Sequence, residues 1–125
     1  MRAVPLPNSV SSLTDRLHVL EFHWHGVGIQ IPKFALYACV PNPIFTCFVQ
    51  RHHRQIAIME FGRYTLPILD PLEDDLDDQA NYVAIVSVAR GNRFGLYGFP
   101  TDCEGQGFTL PMDHESVPRI VQYFI

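Results

Sequence analysis

Leu17-His18-Val19-Leu20-Glu21-Phe22-His23-Trp24 is the stretch whose reading decides the fold class. Leu20, Phe22 and Trp24 recur every second residue, so an extended chain puts all three on one face. His25-Gly26 reads as a turn, and Val27-Gly28-Ile29-Gln30-Ile31 then alternates again. Two alternating runs joined by a glycine turn form a β-hairpin.

Working outward, further short runs rich in β-branched and aromatic residues cover 34–40, 44–49, 55–61, 64–69, 82–89 and 93–99. Turn formers separate them: Pro41-Asn42-Pro43, Arg51-His52-His53-Arg54, Gly62-Arg63 and Gly91-Asn92. Gly91-Asn92 between two such runs is a good tight-hairpin signal, because both residues tolerate positive φ. Strands this short at near-regular spacing predict an all-β barrel or sandwich. Its expected core is Leu20, Phe22, Ile29, Ile58, Leu66, Ile68, Val83, Ile85 and Leu96, the apolar members of the alternating runs. Helix is expected only as single turns, one capped by Ser11 or Ser12 and running to Arg16, one from Asp74 to Ala80.

A chain of 125 residues fits one domain, 1–125, with one core. Apolar residues at 47% against charged ones at 18% describe a packed globule and not a disordered chain. The formal net charge of -4 is concentrated in Glu73-Asp74-Asp75-Leu76-Asp77-Asp78, expected as an exposed loop or helical turn. That surface repels a phosphate backbone, and no cluster of Arg or Lys offsets it, so nucleic acid is not an expected partner. The opening Met1-Arg2-Ala3-Val4-Pro5-Leu6-Pro7-Asn8 lacks the apolar run of a secretory signal, and no apolar stretch is long enough to enter a membrane. Cys39, Cys47 and Cys103 have neither metal nor redox spacing and read as buried, reduced thiols. These features together lead us to expect a cytoplasmic protein.

Catalytic chemistry finds no foothold. The chain has no Gly-x-Ser-x-Gly elbow, no glycine-rich phosphate loop followed by a helix and lysine, and no cysteine in an active-site context. His23 and His25 are expected on one strand face and His52-His53 among basic residues, but zinc wants three or four convergent ligands, and none completes either set. We therefore expect no catalytic residue, no cofactor and no metal. Two other readings stand behind a protein-binding one: a small β-barrel holding a small molecule or metal through its histidines, and, last, an enzyme with an unrecognised site.

The segment from Gln55 to Asp70 resembles the central signature of CheW-like domains, which carry a basic–glycine pair, a short apolar stretch, then Pro, two aliphatics and an acid, as in Leu66-Pro67-Ile68-Leu69-Asp70. Ahead of it, Leu20 to Trp24 with Ile29 to Pro32 resembles that family's opening hairpin. Behind it, Tyr82 to Val88 and Arg93-Phe94-Gly95-Leu96 resemble its paired strands, so the likeness spans about 17–110. The resemblance implies a pair of small SH3-like five-stranded barrels and a non-catalytic adaptor. Such an adaptor couples the cytoplasmic tips of chemoreceptors to the CheA-like regulatory domain of a histidine kinase, in chemotaxis or in type IV pilus signalling. It places the partner interface at Gly62, Arg63 and Tyr64. Three departures stand out: the basic–glycine pair is reversed as Gly62-Arg63, Phe99-Pro100 stands where the family has an acid, and the chain reaches Ile125 without room for a complete final hairpin and C-terminal helix.

Overall fold

The computed structural model describes residues 16–77, 79–90 and 93–124. Nine β-strands form two sheets: β1 (Arg16–Trp24), β2 (Val27–Pro32), β3 (Leu36–Pro41), β4 (Phe45–Arg51), β5 (Arg54–Phe61), β6 (Tyr64–Ile68), β7 (Tyr82–Arg90), β8 (Arg93–Thr101) and β9 (Gln106–Pro111). One short helix, α1 (Val117–Val121), closes the described chain. The fold is all-β, as the alternation implies. No helix among the described residues is long and apolar enough to cross a membrane.

The first sheet has three strands in the order β2-β1-β9, all antiparallel. β1 and β2 join through His25-Gly26, with Trp24 paired to Val27 and φ of 50° and 78° at the two turn residues. Positive φ at both central positions is the hairpin turn that matches strand twist. β1 buries both of its faces in succession. Leu17 and Val19 pack with Val117 and Ile120 under α1, whereas Phe22 and Trp24 turn toward the second sheet. Leu17 and Val19 also alternate, on the opposite face to Phe22 and Trp24, but the helix that covers them lies at the far end of the chain. A final strand and a C-terminal helix are thus both present, although the helix has only 5 residues.

The second sheet has six strands in the order β3-β7-β8-β6-β5-β4. Its edge strands are joined by Asn42-Pro43-Ile44 alone, which spans at most about 15 Å from Pro41 to Phe45. A flat six-stranded sheet would hold its edges about 24 Å apart. The sheet must therefore roll up, and Tyr37 of β3 meets Phe61 of β5 edge to face, ring centroids 6.3 Å apart. A bulge in β3 between Leu36 and Ala38 sends two residues that would share a face to opposite sides: Ala38 into the roll, Leu36 against the first sheet.

The roll is filled by Trp24, Phe45, Ala57, Met59, Leu66, Ile68, Leu76, Val83 and Ile85. A second cluster, with Phe22, Ile31, Ala84 and Val86, joins the two sheets. β7 is therefore buried on both faces, which explains its unbroken apolar run. Of the nine expected core residues, Phe22, Leu66, Ile68, Val83 and Ile85 are fully buried, and Leu20, Ile29 and Leu96 pack against the clusters half-buried. Ile58 is also half-buried but belongs to no cluster; Ala57 and Met59 fill the interior instead. With Ile56 to Met59 apolar throughout, period two could not choose the inner face there. Gly98 lies where β6 and β8 run parallel, and a Cβ on it would sit 2.6 Å from the Ile68 side chain.

Two further expectations change. The stretch 74–77 is not helical: Leu76 is 2% exposed, its N–H donates to the Gln55 carbonyl at 2.9 Å, and Gln55 Nε2 donates back to the Leu76 carbonyl. One buried leucine holds the acidic loop extended along the start of β5, and Asp78 lies outside the described residues. The turn expected before Arg16 and the Gly91-Asn92 hairpin also fall outside them, although Arg90 pairs with Arg93 across the latter.

Candidate functional site

β5 and β6 are joined by Gly62-Arg63, with Phe61 directly opposite Tyr64. Gly62 has φ +60° and nothing within 4 Å of where a Cβ would stand, so backbone conformation and not space favours glycine there. A turn with glycine at its first central position accounts for the reversed pair: the hairpin favours Gly before Arg. Arg63 is exposed at the tip. Directly opposed residues share a face, so Phe61 and Tyr64 stand side by side, and Tyr37 leans on Phe61. Tyr37 is 53% exposed and Tyr64 47%. The expected interface residues are thus brought together with two further aromatics, on the rim of the roll. Tyr37 is not legible from sequence, since only the rolling of the sheet carries β3 to the end of β5.

A second feature is an open cleft of about 870 Å³ between the β1–β2 hairpin, the segment Leu69 to Glu73, and the C-terminal Arg119 to Phe124. Its walls are largely apolar, with Leu69, Leu72, Tyr97, Phe99 and Tyr123, while Arg54, Arg119, Glu21 and Glu73 supply charge. Tyr97 and Phe99 hold each other edge to face at 5.1 Å. Leu72 and Tyr123 are exposed, an arrangement that presents apolar area to solvent.

Asp70 fixes one wall of that cleft. It is 3% exposed, and its two carboxyl oxygens accept from Trp24 Nε1 at 3.0 Å and from the Leu72 N–H at 2.7 Å. Its carbonyl accepts from the Glu73 N–H at 3.0 Å, at the edge of the same wall. A tryptophan from the first sheet is thereby locked into the core of the second. The sequence signal was present in both partners, since a buried Trp N–H seeks an acceptor and a buried carboxyl needs donors.

The histidines do not converge. His25 leaves the strand with φ 50° and stacks on Trp24, ring centroids 4.1 Å apart, so it does not share a strand face with half-buried His23. His52 and His53 form the β4–β5 turn, with φ of 51° and 67°, and are exposed. No group of three or more His, Cys, Asp or Glu among the described residues is spaced to hold a metal ion. The cysteines also depart from expectation: only Cys39 is half-buried, while Cys47 and Cys103 are exposed. Their sites, a sheet edge strand and a loop, offer no second layer to cover them.

A scan against protein-family models finds no match. No curated protein matches the chain significantly.

Proposed function

We propose that this chain is a non-catalytic, protein-binding adaptor of the CheW-like kind, working between chemoreceptors and the regulatory domain of a histidine kinase in a chemotaxis-like or type IV pilus signalling system. One observation carries the reading. Arg63 and Tyr64, where the resemblance puts a partner contact, stand exposed beside Phe61 and Tyr37 on one rim. Rigid aromatics around an arginine are what protein interfaces concentrate, because they supply area at small entropy cost and a planar fork for carboxylates. The open, largely apolar cleft suits the same reading, since an adaptor takes up partner surface instead of enclosing a ligand. In such a domain the six-stranded roll and the three-stranded sheet under α1 would take the places of the two barrels. The competing small-molecule reading is the weaker one, as no histidine lines this cleft and His25 lines only a smaller hollow of about 240 Å³.

The test is a binding isotherm against a histidine kinase regulatory domain, preceded by a pull-down from the native cell to find that kinase. Arg63→Glu should leave the melting temperature nearly unchanged and weaken binding by at least ~1 kcal/mol, about five-fold. An unchanged isotherm removes the rim from the interface.

A further inference from the structure

β2 is an edge strand: the first sheet runs β2-β1-β9, so β1 is its one strand neighbour among the described residues. Val27 and Ile29 point to one side of that sheet, Gly28 and Gln30 to the other. All four nonetheless line the cleft of about 870 Å³, and what they present to it in common is the edge of the strand. The two-residue turn His25-Gly26 makes Trp24 and Val27 a hydrogen-bonded pair, and pairs along an antiparallel ladder alternate. Phe22 and Ile29 are therefore bonded again, whereas His23 with Gly28 and Glu21 with Gln30 are not. The N–H and C=O groups of Gly28 and Gln30 thus point away from β1, and no hydrogen bond among the described residues takes them. The other half of the edge is closed. α1 packs against β2, with Val117 and Ile120 on Leu17 and Val19 at one face of the sheet, while Phe124 packs with Phe22 and Ile31 at the other. The C-terminal turn therefore crosses the edge near Ile31, and Pro32 beyond it has no N–H to offer. Edges are ordinarily covered or blunted in this way, and here positions 28 and 30 are left open.

Unpaired N–H and C=O groups at strand spacing match another extended backbone. On the seam side an added strand meets Ile29, Tyr97 and Phe99, which pack against one apolar cluster. On the other side it meets Gly28, over which the Glu21 carboxylate lies, with Oε1 3.0 Å from where a Cβ would stand. Glycine there lets the carboxylate reach across β2 toward its edge. Arg54, Glu73 and Arg119 line the cleft from other elements, so Glu21 is the one charge that the hairpin itself brings to it. The net charge of -4 draws a cationic segment the same way. We propose that the open half of β2 binds an extended, basic segment of a partner protein as a fourth strand of the first sheet. Its alternate apolar residues face Tyr97 and Phe99, and a lysine or arginine between them pairs with Glu21. Gly28 and Gln30 supply two donors and two acceptors to its backbone. The inference rests on the protein-binding reading of this chain but on a site other than the rim, since Arg54 opens β5 and Phe61 closes it.

The test combines amide hydrogen exchange with two labelled peptides, Thr-Val-Lys-Val-Lys-Val-Thr and its counterpart with glutamate in place of lysine. In the free protein the Gly28 and Gln30 amides should exchange faster than those of Ile29 and Ile31, which the ladder holds. The lysine peptide should slow both, and should bind about ten-fold more tightly than the glutamate one. Glu21→Lys should reverse that preference. Gln30→Pro removes an outward N–H and no ladder bond, so it should fold and weaken the lysine peptide about five-fold; should it not fold, Glu21→Lys still decides. Arg63→Glu should leave peptide binding unchanged, so a failure of the rim and a failure of this edge are read separately. The proposal is overturned by no binding, by equal affinity for the two peptides, or by binding that leaves Gly28 and Gln30 exchange as it was. Protection of those amides that grows with protein concentration alone would give the edge to a second copy and overturn it as well.

Discussion

Two regions of this molecule use the same kinds of residue to opposite ends. At the seam between the sheets, Trp24, Asp70 and the unbroken apolar run of β7 are sealed from water, and each polar atom there is matched. At the rim, Arg63, Tyr64 and Tyr37 stand open, and the turn beneath them is held by backbone geometry alone. Aromatic and charged side chains at the seam hold the fold together; at the rim they are free to meet something else. On the proposed reading, stability and recognition are thereby separated in space, so mutations should separate them too.

The comparison breaks most visibly at Ile85, which is wholly buried inside the roll. Ile85→Ala should cost about 2–5 kcal/mol by chemical denaturation, from lost transfer energy plus the cavity left behind. A smaller loss would mean that the roll collapses around the gap. Asp70→Ala comes next. It strips acceptors from the Trp24 N–H and the Leu72 N–H, and one unsatisfied buried donor costs about 1–3 kcal/mol. Quenching of Trp24 fluorescence by added iodide should rise with it, since this is the sole tryptophan.

Gly62→Ala sharpens the contrast from the other side. Space is free at that position, so the expected loss of about 1–2 kcal/mol comes from placing a Cβ at positive φ and from nothing else. The smallest effect belongs to the acidic loop. Asp74→Asn with Asp77→Asn should shift stability by no more than about 0.5 kcal/mol, because both are exposed. Asp75 is deliberately spared, as its carboxyl accepts the Gln55 N–H at 2.7 Å. A loss of soluble protein on the double change would give the loop a structural role beyond Leu76.

Alternation by itself determined most of the strands and five of the fully buried core residues, because a half-buried strand must place apolar side chains every second residue. Turn chemistry likewise determined the breaks at His25-Gly26 and Gly62-Arg63, where positive φ is needed locally. Tertiary structure decided what such local rules cannot reach. Only the packing of α1 on Leu17 and Val19 shows that β1 has two inner faces, and only the short link between the edge strands rolls the sheet and sets Tyr37 beside Phe61. The acidic stretch followed the same logic. Its local signal favoured a helical turn, but burying Leu76 in the roll and bonding its backbone to Gln55 outweighed that weak propensity. Local preferences are worth tenths of a kcal/mol per residue, whereas one buried leucine is worth about 1.5–3 kcal/mol, so at these places distant contacts chose the conformation.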